Sequence, residues 1–210
     1  MSNLVLPCDF GNTPKKKFQL PKDFSSLLLH CCCAPCVGAM LEYFYVNKLK
    51  PTVFFYNPNI HPKEEYLKRR DELISLCNLL NFPYVIPEYD TNDFFCKVKG
   101  LEHEPERGRR CDECFKLRLL KTAQYAKDHN FSHFTSTLAT SRWKRKSQVD
   151  NAGFFAESSV NGLVKYWQED WRKEGLVIRR YELVKKFNFY NQEYCGCIYS
   201  KLNLGHVKEK

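Results

Sequence analysis

The chain lacks any apolar run long enough to cross a bilayer. Its longest, such as Leu27-Leu28-Leu29, are a few residues, against the roughly 20 that a membrane helix needs. Met1 to Phe24 has no apolar stretch of signal-peptide length and carries Lys15-Lys16-Lys17, so secretion by that route is not expected. Internal repeats are absent. Acidic residues are in deficit, with 24 Asp+Glu against 33 Lys+Arg, a net charge of +9 and a pI near 9.0. That balance favours a polyanionic partner, nucleic acid above all. A membrane surface is not favoured, because no basic amphipathic helix stands out. Cysteine density, eleven in 210 residues, is too low for a disulfide scaffold. The expected compartment is the reducing cytoplasm, where such thiols are metal ligands or redox groups.

What is present is a core-forming composition. Apolar residues make up 43% and aromatics 15%, which excludes intrinsic disorder, and the length suits one domain. Residues 1–24 read as a mobile lead-in and 25–210 as a single domain. Ser25–His30, Thr52–Tyr56, Tyr84–Ile86 and Ser132–Leu138 read as buried strands. Helices are expected after Pro35, over Lys63–Asn81, over about Asp112–Asp128 and after the fourth strand. Asn92–Arg110 reads as irregular. This alternation predicts an α/β fold, a mainly parallel sheet flanked by helices, with a basic and aromatic C-terminal elaboration from about residue 161.

The cysteines fall into groups. His30-Cys31-Cys32-Cys33-Ala34-Pro35-Cys36 ends the first strand, Cys111-Asp112-Glu113-Cys114 opens a helix, and Cys195-Gly196-Cys197 lies near the C-terminus. Ligands in open α/β folds collect where strands end and helices begin. Four thiolates suit a [4Fe–4S] cluster or a structural zinc, and spacing alone picks Cys33/Cys36 with Cys111/Cys114. Spacing does not decide between the metals, but the surplus of thiols favours redox chemistry. A disulfide within Cys195-Gly196-Cys197 would close a very small, strained ring, the labile kind, so this pair reads as a cycling dithiol before a ligand pair. Cys77, on a helix stripe, reads as core, and Cys8 and Cys96 have no partner in view.

Ser141-Arg142-Trp143-Lys144-Arg145-Lys146-Ser147 places four cations around one indole, suited to gripping phosphates and stacking on a base. Trp167, Trp171, Arg172, Arg179 and Arg180 repeat that composition and suggest one shared RNA surface. The arginines of Pro105–Arg110 suit ligand phosphates or neighbouring carboxylates, and the histidines read as structural.

Together CCAPC (32–36), YNPNI (56–60), PERGRRC-x-x-C (105–114), TS-x-L-x-x-SRWK (135–144) and QEYCGC (192–197) resemble the QueH-type epoxyqueuosine reductases, over about residues 27–199. The resemblance implies an adenine-nucleotide-hydrolase-like, PP-loop/HUP-like fold. No Gly-rich phosphate loop follows the first strand, so ATP use is not implied. It implies reduction of the epoxide of epoxyqueuosine to queuosine at the wobble position of tRNA, with an unidentified electron donor. It further implies Cys32, Cys33, Cys111 and Cys114 as [4Fe–4S] ligands, with Cys36 near an additional iron and Cys31 unassigned. Adjacent side chains diverge on an extended strand, so ligation by Cys32 and Cys33 demands a tight turn after His30. The alternatives are a zinc-stabilised RNA-binding protein without catalysis and a tRNA thiolation enzyme of similar fold.

Overall fold

The computed structural model describes residues 4–12, 19–141 and 144–201. Five parallel strands form one sheet in the order β3-β2-β1-β4-β5: β1 Leu27–His30, β2 Thr52–Phe54, β3 Tyr84–Val85, β4 His133–Ser136 and β5 Lys165–Tyr166. The helices are α1 Ala34–Val46, α2 Lys63–Leu80, α3 Asn92–Val98, α4 Arg109–Asp128, α5 Lys146–Ser159 and α6 Leu176–Lys186, with a 3-10 turn at Leu138–Thr140.

The central strand explains the layering. All of β1 is buried, as expected of a parallel strand covered on both faces. Its period of two sends Leu27 and Leu29 to one face, against Val37, Met40 and Phe44 of α1 and Leu73, Leu76 and Cys77 of α2. Leu28 points to the other, against Leu119, Ala123 and Ala126 of α4 and Val149 and Ala152 of α5. Leu28 and Leu29 are fully buried, so truncating either to Ala would cost about 2–5 kcal/mol. Pro35 sits in the first turn of α1, and Asn81 ends α2 in the left-handed conformation at φ 54°.

Strand order reverses between β1 and β4: β2 and β3 lie to one side of β1, β5 beyond β4 on the other. The C-terminal ends of these two strands form the switch point where doubly wound sheets hold their ligands.

Three local expectations need correcting. The segment read as irregular contains α3, a short helix whose Phe94 and Val98 are its only buried positions, too few to set a period. The C-terminal elaboration supplies β5, so residues beyond 161 complete the sheet. Trp167 and Trp171 are core, 5% and 2% exposed and packed edge to face at 5.3 Å, and so cannot stack on a base. Within the lead-in, Asp9 pairs with Arg179 at 2.8 Å, and Gly11 N donates to Glu42 at 2.8 Å.

Candidate active site

The first cysteine group occupies the turn out of β1. Cys31 N still bonds Phe54 O at 2.9 Å as the ladder ends, the chain bends at Cys32, and α1 begins after Cys33. The bend brings the adjacent thiols of Cys32 and Cys33 to 3.7 Å. One helical turn later Cys36 joins them, and the three buried sulfurs lie within 4.8 Å of one another. This is the tight turn that ligation by neighbouring cysteines requires. Cys31 points to the opposite face, its Sγ–H directed at Cys33 O at 3.3 Å, and packs in the core. Cys77 is core as expected, its thiol pushed up to about 12 by burial.

A small cavity opens beside this turn. The first two turns of α4 contribute Cys111 and Cys114, and the C-terminal loop contributes Cys195 and Cys197. Cys111 also packs against the side-chain cluster that holds Cys32, Cys33 and Cys36, but among the described residues only those three sulfurs lie within ligating distance of one another, and Cys111 and Cys114 are not brought among them. Phe94 of α3 and Phe115 of α4 form apolar walls. All eleven cysteines are free thiols.

Buried polar residues fix the frame. Asn57 donates to Cys31 O at 2.9 Å, and its Oδ1 accepts from Arg118 Nη2 at 2.5 Å. Arg69 on α2 donates to the carbonyls of Tyr194 at 3.1 Å and Cys195 at 3.3 Å, clamping the C-terminal loop to the domain. His30 is fully buried and neutral, burial and Arg118 together pulling it down to about 3. Its Nε2 donates to Tyr56 O at 3.2 Å, which leaves Nδ1 to accept from Ser136 Oγ at 2.8 Å. It is structural, as expected.

Electrostatics select two thiols for ionisation. Hydrogen bonds from Cys33 and Cys36, then Lys144 and Arg118, hold Cys32 well below the usual thiol range. A hydrogen bond from Cys197 and the charge of Lys144 do the same for Cys195. Burial pushes Cys111 up to about 12 and raises Cys114. Glu106, on the cavity wall, is lifted to about 7 by burial and by the neighbouring Cys195.

The basic segment divides. Arg142 and Trp143 lie outside the described residues. Lys144 is 9% exposed and turned into the cavity, Arg145 is exposed, and Lys146 pairs with Asp150 on its own helix. Farther on, Arg179 is buried against Glu42 at 2.7 Å, and Arg180 donates to Pro35 O and Thr140 O at 2.9 Å. Arg172 pairs with Asp170 at 3.0 Å. Arg179 and Arg180 therefore tie helices and loops together, whereas the Arg172 pair is local. Sequence reasoning did not reach Asn59, Arg69, Glu106 or Arg118. Asn59 stands inside YNPNI and Glu106 and Arg110 inside PERGRRC, so their motifs were the available signal.

The family model "Epoxyqueuosine reductase QueH" matches residues 27–203. Relatives of that name include a Histophilus somni protein, 45% identical over 195 residues, covering 92% of this chain and 80% of the relative. A protein of Acinetobacter baylyi is 44% identical, covering 89% and 85% respectively. One from Thermotoga maritima is 33% identical, covering 84% and 91%.

Proposed function

The chain belongs to the epoxyqueuosine reductase QueH family, and on that premise we propose that it reduces epoxyqueuosine in tRNA to queuosine with electrons relayed through an iron–sulfur cluster. The reaction adds two electrons and two protons to the epoxide, releases its oxygen as water and leaves an alkene. The observation that supports this reading is a buried triad of thiols, Cys32, Cys33 and Cys36, in the same packed layer as Cys111, which shares a cavity with Cys114, Cys195 and Cys197.

Cys32, Cys33, Cys111 and Cys114 would hold the [4Fe–4S] cluster, with Cys36 beside an additional iron. The donor set fits: these are soft sulfur ligands, largely buried, with Arg69, Arg118 and Lys144 near enough to offset thiolate charge. A cluster bound there supplies electrons one at a time. The chain's own groups do the rest. Phe94 and Phe115 keep water from one side of the cavity. Glu106, protonated below about 7, can give a proton to the departing oxygen. The Cys195/Cys197 dithiol holds two electrons and two protons, and its oxidation to a disulfide releases both; an external donor then restores it. The net charge and exposed Arg145 suit a tRNA, and free thiols suit the cytoplasm.

Anaerobic purification tests this reading. Brown protein with comparable iron and labile sulfide, converting epoxyqueuosine tRNA to queuosine tRNA, is expected. Serine at Cys111 or Cys114 bleaches it. Stoichiometric zinc without sulfide would overturn the cluster, and a complete failure to convert would overturn the activity.

A further inference from the structure

Three side chains on the cavity wall are buried yet carry polar atoms with no partner among the described residues. They are Asn59 Oδ1, Arg110 Nε and Nη2, and Arg118 Nε, on residues 2%, 1% and 1% exposed. Bare buried donors and acceptors are costly, and each needs an account. Arg118 has one: it faces the thiols of Cys114 and Cys32. Asn59 has none, and Arg110, whose charge acts on Cys111, has no hydrogen-bond partner for Nε and Nη2 among the described residues.

Arg110 is held from behind. Its Nη1 donates to the carbonyls of Glu102 at 2.8 Å and Glu104 at 2.5 Å, and its guanidinium lies 5.1 Å from the centre of the Tyr199 ring. Nη1 is therefore committed, and the edge formed by Nε–H and Nη2–H is left over. That edge presents two parallel donors, a match for two neighbouring oxygens on one ligand. Asn59 Oδ1 makes the opposite demand: it needs a hydrogen.

A phosphodiester or carboxylate would satisfy the guanidinium edge but would bring no hydrogen to Asn59. A neutral vicinal diol satisfies both, its two oxygens accepting from Arg110 while a hydroxyl donates to Asn59. The ring that carries the epoxide in epoxyqueuosine bears such a pair of hydroxyls. We infer that Asn59 and Arg110 are the residues that read this diol, and so set specificity for the modified base over its unelaborated precursor. The inference rests on the reading of the cavity as the epoxyqueuosine site.

The test is binding. Two tRNAs are compared, one carrying queuosine, which keeps the diol, and one carrying the same 7-deazaguanine with a bare aminomethyl arm. The wild-type protein should prefer the first by roughly tenfold or more, the worth of two or three hydrogen bonds with one charged partner. Asn59→Ala should cut that preference by roughly fivefold while leaving affinity for the bare-arm tRNA unchanged. Asn59→Asp, which keeps the acceptor, should retain most of the preference. Asn59 is the residue to vary because Arg110 also holds the 102–104 loop. Equal weakening toward both tRNAs, or an unaltered preference in Asn59→Ala, overturns the inference. So does loss of the wild-type preference to millimolar inorganic phosphate, which would mark an anion site. A wild-type protein that reduces epoxyqueuosine but does not distinguish the two tRNAs overturns the inference alone. One that neither reduces nor distinguishes overturns the underlying reading as well.

Discussion

Arg69 and Cys195 are 126 positions apart in sequence, and a hydrogen bond of 3.3 Å from Arg69 Nη1 to Cys195 O joins them. The guanidinium is 1% exposed and is held from its other side by Glu65, whose Oε1 accepts from Nε at 2.7 Å. One buried cation thus fixes the backbone of the C-terminal thiol loop while its charge acts on Cys33 and Cys32. Arg69→Met leaves Glu65 and two carbonyls without their donor. Breaking such a buried pair costs about 3–5 kcal/mol, read as a lower urea midpoint. The freed loop should also let a thiol reagent reach Cys195 faster in the native protein. Unchanged Cys195 labelling would show that the loop is held by other contacts.

Gly196 separates the two thiols at φ +103°, a conformation that side-chain-bearing residues rarely adopt. A Cβ there would sit 2.9 Å from Ile60 Cγ1 and 3.2 Å from Arg69 Nη1, while Gly196 O accepts from His61 N at 2.8 Å. Gly196→Ala should therefore destabilise by about 1–3 kcal/mol through backbone strain and displace Cys195 from the cavity. Thermal unfolding and conversion of epoxyqueuosine tRNA, measured together, should fall together. Wild-type values for both would remove the strain argument.

How much of this was legible in the sequence depends on the range of the interaction that sets each feature. Strands β1 to β4, the α2 stripe and the core role of Cys77 follow from local sequence pattern, and all were readable. β5 is two residues long and owes its existence to pairing with β4, a partner set by the fold. Trp167 and Trp171 share their composition with RNA-facing segments, and only packing against Phe44 makes them core. Lys144 belongs to a run that reads as gripping phosphates, yet it is buried and lines the cavity with the thiols. The cysteine groups were visible as spacings. Their meeting needed β1 and β4 to be neighbours, which no spacing encodes. Arg69 and Arg118 looked like ordinary helical cations for the same reason.

Glu106 gives a pH signature. Its carboxyl is raised from 4.5 to about 7 in the folded protein. Between those values the folded state holds a proton that the unfolded state has lost, so the contribution to stability is complete below about 4.5 and disappears as pH rises through about 7. The difference in urea midpoint between wild type and Glu106→Gln should change across that window and be constant outside it. Wild-type conversion should also decline above about 7 with a limb that the Gln variant lacks. A limb that persists in Glu106→Gln assigns the proton to another group.

Among the described residues of the basic segment Arg145 is the exposed cation, whereas Lys146 pairs with Asp150 and Lys144 faces the cavity. If it grips a tRNA phosphate, Arg145→Gln should weaken binding and reduce the slope of log K against log salt by about one unit. Lys146→Gln should change the slope less, because its charge is already offset within α5. Iron content should be the same in both. An unaltered slope for Arg145→Gln would make the residue part of the solvated surface.

Cys195 and Cys197 distinguish a redox pair from a ligand pair. The structure gives them unequal tendencies to ionise: a hydrogen bond from Cys197 favours the Cys195 thiolate, and the same contact together with burial keeps Cys197 protonated. This is the asymmetry of a dithiol in which one sulfur attacks and the other supplies the proton. If the pair cycles, neither residue holds metal, so Cys195→Ser and Cys197→Ser should both keep full iron and sulfide and bind tRNA normally. Multiple-turnover conversion should be lost in both, with at most a single turnover if the pair only relays electrons to the site. Alkylation of the wild-type protein should be fastest at Cys195, and Cys197→Ser should slow it by removing the thiol that supports the thiolate. Ligation by one of the two predicts something different, an iron deficit confined to that variant. Iron content, product yield and alkylation rate on the same two proteins decide between the roles, and full multiple-turnover activity in both would exclude either.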